Sequence, residues 1–93
     1  MNDQPVQFAD YFPELKYKPT KVPYIFKTEW VKNRDRTQKR CTFFAAPVLG
    51  TAYGVDVIKP WAGESKQAEL EAIAKVQEAM VYYEEHKTWP PTN

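Results

Sequence analysis

Cysteine and histidine are almost missing from this chain: Cys41 and His86 are the only residues of their kind. One thiol excludes an internal disulfide framework and a thiolate zinc cluster, and it fits a reducing, intracellular compartment. One imidazole, at the expected end of a helix where it complements the dipole, leaves no histidine pair for metal binding. Glycine is scarce too, with three residues, so no glycine-rich loop is present to cradle a phosphate. No apolar run approaches the ~18 residues of a membrane span. The first residues also lack the basic-then-apolar order of a signal peptide. Asp56 is the one carboxylate of its expected strand and has apolar neighbours, so no carboxylate pair is set up for proton transfer. The expectation is a non-catalytic protein with no cofactor and no metal site.

Proline and aromatic residues are what the chain does have. Eight prolines point to stiff, defined connections rather than flexible linkers. With 43% hydrophobic and 15% aromatic residues, 93 residues suffice for one domain. Its folded core is expected over 5–86, with 1–4 and 87–93 as flanking segments.

The net charge of +1 conceals an uneven distribution. Nine basic residues lie between Lys16 and Arg40: Lys16, Lys18, Lys21, Lys27, Lys32, Arg34, Arg36, Lys39 and Arg40. Only Glu14, Glu29 and Asp35 accompany them. From Glu64 to Glu85 the balance reverses, with Glu64, Glu69, Glu71, Glu78, Glu84 and Glu85 against Lys66 and Lys75. A basic first half and an acidic last segment hint at a charged partner.

Periodicity places the elements. Ala68, Ala72, Val76, Ala79 and Tyr83 fall on one helical stripe of mostly small residues, which lets a helix sit close against a sheet. That helix is expected to open at Glu64 or Ser65, with the serine oxygen accepting from first-turn amides, and to run to about Tyr83. Val22–Lys32 alternates as a strand does. Arg40–Leu49 and Tyr53–Lys59 read as two more strands, with Phe43 and Phe44 on opposite faces. Phe8, Ala9 and Phe12 suit a short helix between Val6 and Phe12, ahead of Pro13. The tail with Trp89, Pro90 and Pro91 is expected to drape back over the core. The expected fold is α+β: a three-stranded antiparallel sheet packed against a long C-terminal helix and a short N-terminal helix, in the order α-β-β-β-α.

Pro23-Tyr24 opens the first strand, Ser65-Lys66-Gln67-Ala68 opens the long helix, and Ala72, Val76, Ala79 and Met80 follow. In this order and at these positions the chain resembles the double-stranded-RNA-binding domain family. The resemblance implies RNA contact through the first helix, the hairpin between the first two strands, and a lysine cluster opening the last helix. In this sequence Lys66 stands alone beside Gln67, with Glu69 and Glu71 in the next turn. The hairpin lacks the family's Gly-Pro-x-His-like element, and Pro13 interrupts the first helix. Binding weaker than in typical members is the expectation, because phosphate neutralisation supplies most of the affinity.

The candidate contact residues are Lys32, Arg34, Arg36, Lys39 and Arg40 on the hairpin, together with Lys66. Their partner would be structured or double-stranded RNA, held by its backbone without regard to sequence. Most of the aromatic residues are needed as core, foremost Tyr24, Phe26 and one of Phe43 and Phe44. Large residues on both faces of the sheet keep a second function open: a protein-interaction module that docks through an exposed sheet face or the acidic helix.

Overall fold

The computed structural model describes residues 16–48 and 51–91. Five strands and one helix follow in the order β1 (Tyr17–Pro19), β2 (Phe26–Thr28), β3 (Val31–Lys32), β4 (Gln38–Val48), β5 (Thr51–Pro60) and α1 (Lys66–His86). The fold is α+β, an antiparallel sheet with a C-terminal helix. The short helix expected between Val6 and Phe12 lies outside the described residues.

β4 is the axis of the sheet. It pairs with β5 from Gln38↔Pro60 through Cys41↔Val57 to Ala45↔Tyr53. Its other edge takes β2 at Phe43 and Phe44, and β3 at Lys39 and Arg40. β1 extends the sheet beyond β2, through Tyr17↔Thr28 and Pro19↔Phe26. The single strand expected over Val22–Lys32 is therefore two short ones, separated by Glu29 and Trp30. Its expected beginning is a turn: Ile25 N–H donates to the Val22 carbonyl at 3.2 Å, and Tyr24 has a positive φ of 68°. Tyr24 is 44% exposed, so its expected core role falls to Ile25. Alternation alone could not show the turn, because Pro23-Tyr24 reads equally well as the first step of a strand.

The two faces of the sheet differ in how they are covered. Cys41, Phe43 and Ala45 of β4 and Val57 of β5 point to the helix, where they bury against Ile25, Ala72 and Val76. Ala72, Val76 and Ala79 are the buried residues of α1, and their small side chains bring its backbone close to the strands. On the opposite face Phe26 stacks on Phe44 with ring centres 5.7 Å apart, and Tyr17 meets both edge-on at 5.6 Å. Phe43 and Phe44 are thus both core, one on each face.

Both ends of α1 are fixed locally. Ser65 precedes it, but its hydroxyl does not accept from the first-turn amides as expected. Instead Ser65 Oγ donates to Glu69 Oε2 at 2.7 Å, while the Ser65 carbonyl accepts from Glu69 N–H at 2.8 Å. At the other end Lys87 adopts the left-handed conformation and its N–H donates to the Tyr83 carbonyl at 2.7 Å, which ends the helix. The tail then folds back: Trp89 packs against Tyr53 and Tyr83 at 5.5 and 4.6 Å, and its indole N–H donates to Thr51 Oγ1. Among the described residues no helix is long and apolar enough to cross a membrane.

Candidate nucleic-acid interface

The hairpin from β3 to β4 turns over residues 33–37 without glycine. Asn33 organises it: its Oδ1 accepts from Thr37 N–H at 2.9 Å and from Gln38 N–H at 3.0 Å, and its Nδ2 donates to Thr37 Oγ1 at 2.8 Å. Asp35 accepts from the Thr37 hydroxyl at 2.7 Å and from its amide, and these bonds hold its carboxyl below the usual range. The one acid of the tip is thus spent inside the turn. Arg36 closes the loop in the left-handed conformation, with φ of 58°. The side chains of Arg34 and Arg36 are exposed, and neither forms an ion pair among the described residues.

At the base of the tip, register brings three lysines abreast. Lys32 of β3 lies opposite Lys39 of β4, which lies opposite Lys59 of β5. Residues directly opposite share a face, and like charges so placed repel. None of the three forms an ion pair among the described residues. The face they share is the helix side, but α1 covers the sheet only from Cys41 and Val57 onward.

Two tryptophans stand among these cations. The tight turn after β5, in which Gly63 N–H donates to the Pro60 carbonyl at 3.0 Å, carries Trp61; its own N–H donates to the Thr37 carbonyl at 2.9 Å. A side chain at position 63 would meet the Pro60 ring at 3.0 Å, so the turn favours glycine there. Trp61 has the ammonium groups of Lys32 and Lys39 over its ring, at 5.0 and 5.1 Å. Trp30, from the break between β2 and β3, has those of Lys27 and Lys59 over it, at 5.0 and 4.8 Å. An aromatic face attracts cations, so the rings hold the ammonium groups in place.

Lys27 is the exception among these cations, because it is paired. Its Nζ lies 3.0 Å from Glu69 Oε1. Burial alone would raise the Glu69 carboxyl, but the Ser65 and Lys27 bonds outweigh it and hold the group below its usual range. The pair ties the first turn of the helix to β2. It also answers the repulsion that Glu69 was expected to exert on phosphates, since that charge is neutralised in place.

The six residues proposed from the sequence do not form one patch. Lys32 and Lys39 share the lysine row, and Arg34 and Arg36 occupy the tip above it. Lys66 is exposed at the first position of α1, on the same side of the sheet. Arg40 is separate: it pairs with Val31 and Ile58 and projects from the opposite face. There Val31 and Ile58 are 58% and 57% exposed, and an open cleft of about 280 Å³ runs along Val31, Lys32, Asn33, Gln38, Lys39, Arg40 and Ile58, so Arg40 borders one cleft with both hairpin lysines. Sequence reasoning missed Lys59, Trp30 and Trp61 as neighbours of the basic hairpin. The available signal was the alternation of Lys59 with Val57 and Val55, which places it on the helix side.

Elsewhere the chemistry is sparse. Cys41 is buried, and desolvation pushes its thiol up to about 11. No group of three or more His, Cys, Asp and Glu residues that could hold a metal ion occurs among the described residues. Comparison of the chain with protein-family models, with curated proteins and with solved structures finds no match.

Proposed function

We propose that this domain is a non-catalytic RNA-binding module that grips the nucleic-acid backbone with the basic end of its sheet. One observation carries the reading: Lys32, Lys39 and Lys59 stand in register beneath Arg34 and Arg36, with no carboxylate among the described residues paired to any of them. A row of like charges across three strands costs stability, and a polyanion lying along it would relieve that cost. Lys66, at the helix start, would add a contact from the same side, whereas Arg40 would not. The class of ligand is taken from the sequence resemblance at Ser65-Lys66-Gln67-Ala68 and the small residues after it, since Pro23-Tyr24 forms a turn and not a strand entry.

The test is titration of a ~20-base-pair RNA duplex, longer than the span such domains contact, at about 50 and about 200 mM salt. Affinity should fall steeply with salt. The Arg34→Ala/Arg36→Ala double substitution should lower the salt slope by about 2, one for each lost phosphate contact. Arg40→Ala should leave the slope unchanged. Failure to bind at the lower salt would overturn the reading of a duplex ligand. A second reading, docking of a protein partner, is favoured by the exposure of Val31 and Ile58 on the opposite face. Such docking would be nearly insensitive to salt.

A further inference from the structure

We infer that the lysine–tryptophan surface is a platform for unpaired bases, and that the RNA this domain takes is single-stranded over that surface. The inference rests on the RNA reading above and narrows it. If the cations only gripped a duplex backbone, the tryptophan rings between them would serve only to hold the ammonium groups in place. Each ring is set among two ammonium groups at 4.8 to 5.1 Å. Alternating cations and aromatic faces is the arrangement that binds single strands, with phosphates held by the charges and bases stacked on the rings.

Trp61 is the better platform. Trp30 packs partly against the hydrophobic core, whereas Trp61 is not among the residues packed there. It is half-buried and held by the Pro60–Gly63 turn and by its amide bond to the Thr37 carbonyl. Its backbone is therefore held in place before any ligand arrives. Cation–π contacts at exposed sites are weak, so a base can displace the Lys32 and Lys39 ammonium groups from the ring face. Both long side chains then remain within reach of the flanking phosphates. Shape favours the same ligand. A duplex keeps its base faces stacked inside the helix, whereas unpaired bases can splay out and lie against an aromatic side chain.

The experiment compares an unstructured RNA of about 12 nucleotides, within the usual range of site sizes, with its duplex and with single-stranded DNA of the same sequence. Binding to the folded full chain is read by anisotropy and by quenching of tryptophan fluorescence. The single-stranded RNA is expected to bind tighter than the duplex and to quench. Trp61→Leu should weaken it about 5- to 150-fold, the range for one stacked base. Trp61→Phe should recover most of the loss, as a purely structural role for the indole would not predict. Lys32→Gln/Lys39→Gln should flatten the salt dependence while leaving the fold intact by circular dichroism. Equal or tighter binding of the duplex, with Trp61→Leu unaffected, would overturn the stacking platform and leave the backbone-binding reading standing. Tighter binding of the DNA would overturn the assignment to RNA. No binding of any probe would overturn both readings together.

Discussion

Arg36 offers a direct test of how the hairpin tip is built. Its φ of 58° lies in the left-handed region, where a side chain with a Cβ costs about 1–2 kcal/mol. Its amide bond to the Asn33 carbonyl, at 3.3 Å, uses only backbone atoms, so glycine would keep it. Arg36→Gly relieves the strain but frees the unfolded chain, at a cost of about 0.5–1 kcal/mol. The net expectation is a gain of roughly 0.5–1 kcal/mol, which for a domain of this size raises the melting temperature by about 2–8 °C. Arg36→Ala retains the strain and should be near neutral. Thermal and urea denaturation followed by circular dichroism would measure both. RNA titration should show the two variants weakened alike, since each loses one cation. A glycine variant that is neutral or less stable than the parent would refute the reasoning. So would an alanine variant that gains as much as glycine does. The expected pattern means that the tip keeps a charged residue where glycine would fold better, which on the RNA-binding proposal is a trade of stability for a phosphate contact.

Three further outcomes are expected. Phe43→Ala, which empties a fully packed site between sheet and helix, should cost about 3–5 kcal/mol by urea denaturation; a cost below about 1 kcal/mol would contradict its placement. The Glu69 carboxyl is held below its ordinary value of 4.5, so its contribution to stability is present above that pH. It should be lost as pH falls further, through the folded-state value. Glu69→Gln should therefore be less stable than the parent near neutrality and converge with it in acid; parallel denaturation curves at both pH values would count against the Ser65–Glu69–Lys27 arrangement. Burial holds the Cys41 thiol near 11, so alkylation at about pH 8 should be slow in the folded protein and rapid in denaturant. Fast labelling of the native state would show the core to be open there.

The long elements were legible in the sequence because each carries a sustained period. The stripe Ala72, Val76 and Ala79 located the helix, observed over Lys66–His86 against an expected end near Tyr83. β4 and β5 fall within two residues of their expected bounds for the same reason. The first strand failed because its alternation crosses two breaks that hydropathy does not register: the left-handed Tyr24, and the Glu29–Trp30 step. β1 was missed because three residues ending in proline are too short for a period to show. The candidate site was legible at its tip, where charge is local in the sequence. Its base was legible only in part. Lys32 and Lys39 flank the hairpin turn and were named from the sequence, whereas Lys59 joins them only through the β4–β5 register, set by the pairing of Cys41 with Val57 and Phe43 with Val55 deeper in the sheet.

The reach of the β4–β5 ribbon past the start of the helix has a consequence for local opening. Between Cys41 and Ala45 the strands are clamped by buried side chains, and their amides should exchange with solvent only on global unfolding. Toward Gln38 and Pro60 the helix side carries lysine and tryptophan, and the other carries exposed Val31 and Ile58. Little buried apolar surface holds that end, so its cross-strand bonds should exchange through local opening, well before the rest of the sheet. The cations therefore sit on the end of the sheet expected to open before its centre, and an RNA strand bound there would appear as added protection of the Val31–Arg40 and Arg40–Ile58 amides.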